Sequence, residues 1–166
     1  MDEFADRLFD LGWDRTKAVW AVPQAFGDDT YWTRKPTGKE WVVQSLLGVI
    51  HGGLGIVPWN DPTTPDIKAS ASALAKAMST TLKGFILDPN ATFQLITQNR
   101  VHVGVWTVSG RTLVLATNLN YNETRFSLES VHGSGSRISQ VFDSGAKIQG
   151  KDVILESVGS GGFVFG

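Results

Sequence analysis

The spacing of apolar residues divides the chain into two parts. Up to about residue 88, apolar positions recur at helical spacing or form short continuous runs. From about Phe93 onward they alternate with polar residues, which is the period of half-buried strands. We therefore predict alternating helices and strands in residues 1–88, and a small antiparallel β-sandwich in residues 89–166.

Three helices are predicted in the first part. Apolar positions at helical spacing indicate a helix over residues 2–11. Thr37 and Glu40 form a capping box that begins a second helix, which ends near His51. Thr64-Pro65-Asp66 supplies an N-cap hydroxyl, a proline and a first-turn acid, and predicts a third helix that ends at Gly84.

Two short strands are predicted between these helices. Ala18–Val22 and Leu54–Val57 are continuous apolar runs. Runs that are apolar on both faces are typical of buried parallel strands, and Pro23 ends the first of them. Because a helix separates the two runs, a parallel crossover is the expected connection.

Seven short strands are predicted in the second part, with turn residues between them. The turns are expected at 109–110, 120–122, Gly133-Ser134-Gly135 and Ser144-Gly145. The strands are 93–97, 100–108, 112–118, 125–128, 138–142, 153–155 and 162–165.

Composition and charge exclude several classes of protein. With 15 basic and 16 acidic residues the formal net charge is −1, which disfavours electrostatic binding of nucleic acid. The chain has no cysteine, so thiolate chemistry and disulfides are excluded. The sequence contains no metal-ligand cluster and no phosphate-binding loop, so we expect no metal and no cofactor. It also lacks an apolar run of about 20 residues, so no membrane span is predicted.

Two segments resemble barrel glycosidases. The run Lys17–Gly27, KAVWAVPQAFG, resembles their seventh strand, which often reads P-V-W-x-V-x-Q-x-F. The run Leu46–Ile56 resembles their seventh helix and eighth strand, with the form H-G-A-x-G-I. The similarity covers essentially the whole chain. It implies an α/β plus all-β fold, namely the last two βα units of a (β/α)8 (TIM) barrel followed by a small antiparallel β-sandwich.

The resemblance also implies a function and a partner. It predicts the C-terminal part of a glycoside hydrolase that cleaves O-glycosyl bonds of a polysaccharide, oligosaccharide or glycoconjugate. The missing N-terminal barrel half would then be a partner, and the parent protein is expected to be extracellular. The alternative is a non-catalytic carbohydrate-binding or structural β-sandwich module.

The resemblance leaves the catalytic carboxylates open. Glycoside hydrolysis usually needs two carboxyl groups on either side of the scissile bond. At the end of the seventh strand this sequence has Gln24, and an amide cannot act as nucleophile or base there. Either Asp28 or Asp29 substitutes, or both carboxylates come from earlier strands. Because a barrel needs eight strands and this chain supplies about two, we expect it to be inactive alone.

Candidate sugar-binding residues lie where the two barrel-like strands end. Gln24 could bind a sugar hydroxyl or satisfy the loop backbone. Trp59 could stack on a pyranose ring or cap the barrel core. Asn60 and Asp61 could bind hydroxyls or form the turn that Asp61-Pro62 indicates.

Aromatic and imidazole side chains complete the candidates. Tyr31 and Trp32 could wall a substrate cleft or pack against the next helix. Asp28 and Asp29 could equally be solvated loop acids. His51 is expected to be structural at a helix end, where an imidazolium interacts favourably with the helix dipole. His102 and His132 are assigned no role.

Overall fold

The computed structural model describes residues 1–14, 16–61, 63–131 and 137–166. Its α-helices are α1 (Asp2–Asp10), α2 (Gly38–Ile50), α3 (Pro65–Ala77) and α4 (Lys83–Ile86). A π-helical turn, Met78–Leu82, joins α3 to α4, and a 3-10 turn spans Leu128–Ser130. The strands are β1 (Trp20–Ala21), β2 (Gly55–Ile56), β3 (Thr92–Gln98), β4 (Val101–Val108), β5 (Arg111–Asn118), β6 (Thr124–Ser127), β7 (Ile138–Gln149) and β8 (Asp152–Phe165).

The described residues form an α+β structure built on a curled antiparallel sheet. The sheet has the order β3-β4-β5-β8-β6, and β7 pairs with the other side of β8. β8 holds the sheet together because its last residues pair with β5 and its first residues pair with β6. β7 pairs with both the first and the last residues of β8, and two register shifts interrupt this pairing. The sheet therefore bends at the middle of β8.

β1 and β2 form a separate parallel pair, and α2 is the connection between them. α2 is apolar on most of its surface because it packs against both β1 and the antiparallel sheet. Its buried residues include Trp41, Leu46 and Ile50. The order of layers is therefore the β1/β2 pair, then α2, then the sheet.

Two hydrophobic cores lie on opposite faces of the sheet. The first joins α2, α3 and α4 to one face through Trp106, Leu113 and Leu115. The second lies on the other face, where alternate residues such as Val103, Val105 and Phe163 point inward. The first core contains side chains from both sides of the predicted boundary at residues 88/89. The division into a 1–88 domain and an 89–166 domain stays a prediction.

Both predicted helix starts have the expected hydrogen bonds. The Thr37 hydroxyl accepts from the Glu40 backbone N–H, and the Glu40 carboxylate accepts from the Thr37 backbone N–H. The Thr64 hydroxyl accepts from the Ile67 backbone N–H, and Pro65 takes the first helical position. These bonds satisfy backbone donors that a helix start leaves without partners.

The two barrel-like strands differ from the prediction in burial. Ala18–Val22 and Leu54–Val57 were expected to be buried on both faces. Ala21 is buried, but Trp20 is 55% exposed and Val22 is 51% exposed. Among the residues that the structure describes, a layer covers only one face of the pair, and that layer is α2.

Two predicted boundaries were wrong. Gly84 lies inside α4 and does not end the third helix, because buried Phe85 anchors one more turn. Ser144-Gly145 lies within β7 at a register shift, so it bends a strand and does not end one. Residues 153–155 and 162–165 accordingly belong to one strand, β8.

In the second part of the chain, the described strands β3 to β8 form one curled sheet where seven short strands were predicted. The assignment to two barrel units and a β-sandwich stays a prediction. The turn predicted at Gly133-Ser134-Gly135, together with His132 and Pro62, lies outside the described residues. No helix within the described ranges is long and apolar enough to cross a membrane.

Candidate functional site

The ends of β1 and β2 lie side by side, as expected for neighbouring parallel strands. The Val57 and Trp59 backbone N–H groups donate to the Ala21 and Pro23 carbonyls at 3.0 and 2.9 Å. The Ala25 N–H then donates to the Trp59 carbonyl at 3.3 Å, and Gln24 bridges to Trp59. The pairing therefore continues beyond the two named strands and brings two predicted sugar-binding residues together.

One face of this strand pair carries apolar side chains that no other element in the described part of the chain covers. The register places Trp20 beside Gly55, so Val22 and Val57 share that face, as do Gln24 and Trp59. We call Trp20, Val22, Val57 and Trp59 the open face. Their exposed fractions lie between 44% and 61%. The Trp20 indole lies directly over Gly55, where a Cβ would come within 2.5 Å of the ring.

The opposite face packs closely on α2. Ala21 and Ala25 are buried there, and Ile56 packs against the first core. A Cβ added to Gly48 of α2 would come 2.4 Å from the Ala21 Cβ, so helix and strand approach as closely as glycine permits.

Gln24 has structural partners in addition to its place on the open face. Its amide nitrogen donates to the Phe26 carbonyl at 2.9 Å, and its backbone N–H donates to the Gln44 side chain at 3.0 Å. The side chain thus stabilises the loop that follows β1. The bond to Phe26 agrees with the alternative that Gln24 satisfies the loop backbone. It also fixes the orientation of the Gln24 amide at the strand end.

Asp28 and Asp29 have partners typical of loop acids. One Asp29 carboxylate oxygen accepts from the backbone N–H groups of Tyr31 and Trp32, at 2.8 and 2.6 Å. Asp28 has a positive φ of 66° and an ion pair with Lys35 at 3.0 Å. Both side chains are exposed.

Asn60 and Asp61 lie on the exposed turn after the second strand. Asn60 has a φ of 76°, a conformation that asparagine tolerates better than most residues. The Asp61 carboxylate lies 3.6 Å from the Lys68 ammonium, and both groups are largely exposed. The turn explains this conformation, so a ligand contact by either residue stays a prediction.

Gln24, Tyr31 and Trp32 line a cavity of about 440 Å³, whereas Trp59, Asn60 and Asp61 lie outside it. The cavity lies between the loop after β1, the start of α2 and the turns of the antiparallel sheet. Its remaining lining residues are Thr33, Arg34, Pro36, Glu40, Val43, Gln44, Arg100, Leu119, Tyr121 and Val158. The predicted sugar-binding residues are therefore divided between this cavity and the open face.

Glu40 organises the polar side of the cavity. Its carboxylate oxygens accept from both terminal nitrogens of Arg34 at 2.7 Å, and one of them accepts from the Tyr121 hydroxyl at 2.6 Å. These bonds, with that to the Thr37 N–H, lower the pKa of Glu40 to about 2, the Arg34 hydrogen bond being the main cause. The same bond raises the pKa of Arg34, and the bond to Glu40 raises that of Tyr121.

The sequence predicted Glu40 only as a helix cap. Its pairing with Tyr121 joins residues 81 positions apart, and no local pattern signals such a contact. Arg100, Tyr121 and Val158 were missed for the same reason, since they reach the cavity from the β3–β4 turn, the β5–β6 loop and the middle of β8.

A chain of hydrogen bonds joins α1, α2 and β4. The Asp2 carboxylate lies 2.7 Å from His51 Nδ1, and His51 Nε2 lies 2.9 Å from His102 Nδ1. Burial is the main cause of a lowered pKa at His102, and the neighbouring His51 adds to it. His51 ends α2 as predicted, while His102, which was assigned no role, connects it to the sheet. Within the described residues, no group of three or more His, Asp or Glu side chains is placed to hold a metal ion.

Comparison with solved structures finds proteins with a similar fold at low sequence identity. A Bacteroides fragilis protein described as a candidate α-galactosidase matches 89% of this chain and 32% of its own, with a TM-score of 0.58 at 14% identity. An Anoxybacillus α-amylase matches 75% of this chain and 32% of its own, with a TM-score of 0.54 at 14% identity.

A GH30 endoxylanase from Clostridium papyrosolvens matches 93% of this chain and 43% of its own, with a TM-score of 0.51 at 12% identity. The chain thus spans between about a third and under half of the proteins it resembles. Identities this low show a shared fold alone. No protein-family model matches the sequence, and no curated protein matches it.

Proposed function

We propose that this chain is the C-terminal part of a glycoside hydrolase that acts on an O-glycosyl bond of a polysaccharide, oligosaccharide or glycoconjugate. In this proposal β1 and β2 are the last two strands of a (β/α)8 barrel. The antiparallel sheet is the accessory domain that covers α2. The parent protein would act outside the cell.

The open face is the observation that carries the proposal. Soluble domains rarely leave contiguous apolar side chains such as Trp20, Val22 and Trp59 exposed. In a barrel, the outer face of each strand packs on helices and the inner face fills the barrel interior. Here α2 covers one face of β1 and the other is uncovered, as expected for strands whose barrel neighbours are supplied by other residues.

The matched structures support this assignment because they share the fold of this chain and are much longer than it. All three are described as enzymes that act on carbohydrates, and the chain spans less than half of each. The remaining barrel strands would occupy the open face and supply the two carboxyl groups that hydrolysis requires. Asp28 and Asp29 are poor substitutes, because Lys35 and two backbone N–H groups already bind their carboxylates.

The sugar is proposed to bind where the two strands end. Trp59 is the most exposed member of the open face and offers a ring face to the C–H side of a pyranose. Gln24 lies beside it on the same face, and Asn60 follows on the turn. Active sites of barrel enzymes lie at this end of the strands.

The test compares this chain with one extended at its N-terminus by the upstream coding sequence. Both are assayed against a panel of p-nitrophenyl glycosides and polysaccharides. We expect hydrolysis only by the extended chain, and a loss of about 10-fold or more in kcat/KM for Trp59→Ala, equivalent to about 1.4 kcal/mol. Phe93→Ala, which removes an exposed aromatic side chain from β3, is the matched control. Hydrolysis by the short chain, or inactivity of an extended chain that holds eight strands, would contradict the proposal.

A further inference from the structure

The cavity described above carries an unbalanced positive charge. Arg34, Glu40 and Arg100 are the residues in its lining with charged side chains. Glu40 binds Arg34 through two hydrogen bonds, so these two charges cancel. Among the described residues that line the cavity, Arg100 is left as the group that can attract an anion. A guanidinium binds a carboxylate through two parallel hydrogen bonds more specifically than an ammonium does.

Arg100 occupies a backbone conformation that disfavours its side chain. Asn99 and Arg100 are the two residues of the tight turn between β3 and β4, with φ angles of 51° and 61°. Two positive φ values define a turn in which asparagine followed by glycine is preferred. Glycine would relieve the strain at position 100, yet the sequence has arginine there.

Val158 is a second strained residue in the same lining. It has a φ of 44°, which is a rare conformation for a β-branched residue. Its N–H donates to the Asn120 carbonyl at 2.9 Å, and the Asn120 side chain donates to the Asn99 carbonyl at 2.8 Å. These bonds tie the strained segments together around one wall. Strained residues of this kind concentrate at ligand sites.

The opposite wall is aromatic and held in place. Trp32 makes edge contacts with Phe26 and Tyr31, at ring-centroid distances of 5.8 and 5.0 Å. Two hydrogen bonds to Asp29 fix the backbone of the same segment. Tyr31 and Tyr121 are exposed, so aromatic surface is accessible at the rim. Aromatic faces beside fixed polar groups are suited to a sugar ring.

We propose that this cavity binds an acidic saccharide, with a sugar ring against Trp32 and Tyr31 and its carboxylate on Arg100. The volume of about 440 Å³ lies within the range of about 300–1,000 Å³ typical of small-ligand sites. The choice of a saccharide rests on the proposed function, but binding here requires neither the missing strands nor hydrolysis. The cavity meets the open face at Gln24, but Trp20, Val22, Val57 and Trp59 do not line it.

The test measures binding by isothermal titration calorimetry at low salt. The ligands are an α-1,4-linked galacturonic acid trimer and the neutral galactose trimer of the same linkage. The 166-residue chain is used as a fusion to a small solubility partner that does not bind sugars. We expect the acidic trimer to bind at least about 10-fold more tightly, because a charge-assisted hydrogen bond contributes about 10- to 100-fold in affinity.

Three variants of Arg100 separate the effects of charge, geometry and strain, and a fourth variant, at Arg125, is the control. Arg100→Gln should remove the preference for the acidic trimer, and Arg100→Lys should retain part of it. Arg125→Gln makes the same charge change on β6, away from the cavity, and should leave the preference intact. Arg100→Gly should abolish the preference and raise the melting temperature by about 2–4 °C, because glycine suits the positive φ.

Equal affinity for the two trimers, no binding of either, or no effect of Arg100→Gln would each overturn the inference. A fall in the melting temperature of Arg100→Gly would overturn the argument from strain. These outcomes can be distinguished from a failure of the proposed function. Hydrolysis by the extended chain can succeed while the acidic trimer fails to bind here, and the reverse can also occur.

Discussion

Glu40 is expected to stabilise the fold through its charge, and Glu40→Gln isolates that effect. Glutamine keeps the size of the side chain and can still accept from the Thr37 N–H. It loses the charge that pairs with Arg34. One of the two carboxylate oxygens that accept from Arg34 is replaced by an amide NH2 group, which cannot accept a hydrogen bond. It also weakens the acceptor for the Tyr121 hydroxyl.

The size of the effect follows from the pKa of Glu40. A drop in the pKa of Glu40 from 4.5 to about 2 corresponds to roughly 3 kcal/mol of folding stability before solvent screening is considered. This follows because one pKa unit is equivalent to about 1.36 kcal/mol. The Arg34 side chain is 62% exposed, so solvent screens the ion pair and the effective value is smaller. We expect Glu40→Gln to lower the free energy of unfolding by about 1–2 kcal/mol at pH 7.

The effect should depend on pH in a defined direction. Because the folded state lowers the pKa of Glu40, the unfolded state binds more protons between pH 4.5 and about 2. The stabilisation is therefore fully present above pH 4.5 and is lost as the pH falls towards 2. Urea unfolding of wild type and Glu40→Gln at pH 7, 4 and 2.5 should show a difference that shrinks with acid.

The control is the same Glu→Gln substitution at an exposed ion pair. Glu129 and Lys151 lie 2.8 Å apart on the surface, and Glu129→Gln makes the same chemical change. We expect no measurable change there, because exposed pairs contribute little. A Glu40→Gln effect below about 0.5 kcal/mol at pH 7, or one that persists unchanged at pH 2.5, would refute the reasoning.

Two further predictions concern packing and protonation. Gly48→Ala should destabilise the fold by about 1–3 kcal/mol in urea unfolding, because the added Cβ would meet Ala21. Gly84→Ala, at an exposed position of α4, should stabilise it by up to about 1 kcal/mol. Equal effects at the two glycines would contradict the packing described. Burial lowers the pKa of His102 in the folded state, so stability should fall as the pH drops below 6.5 and stay level above it. Thermal unfolding between pH 5 and 8 measures this, and His102→Asn should flatten the profile.

Local signals in the sequence predicted the helix starts well. Thr37 with Glu40, and Thr64 with Pro65, act within one helical turn, so their hydrogen bonds depend on little else. The parallel pairing of the two apolar runs also matches, because a helix between two strands favours a parallel connection.

Features that depend on distant contacts were not predictable. Ser144-Gly145 has the composition of a turn, yet β8 pairs with β7 on both sides of it and keeps the strand continuous. Gly84 is typical of a helix end, but the burial of Phe85 continues the helix past it. In both cases tertiary packing outweighs local preference.

The candidate site shows the same limit. Gln24 and Trp59 were correctly placed at neighbouring strand ends, because parallel strands end at the same edge. The cavity formed by Tyr31, Trp32, Arg100 and Tyr121 draws on segments about 70 to 90 residues apart. The residues that line the cavity come together only when the sheet is folded, so the sequence alone does not identify them.

The most direct test of the central proposal is the stability change caused by Val22→Thr in two contexts. Val22 lies on the open face and is 51% exposed in this chain. Threonine has nearly the same shape but adds a hydroxyl, which costs about 1–3 kcal/mol where it is buried without a partner. Val103→Thr, at a fully buried position of the sheet, should destabilise in both contexts.

We predict that Val22→Thr leaves the free energy of unfolding of this chain nearly unchanged. In the chain extended by the upstream coding sequence, it should destabilise by about 1–3 kcal/mol, because the added strands bury Val22 in the barrel interior. Equal, small effects in both contexts would show that the open face stays exposed, and would contradict the proposal that these strands complete a barrel.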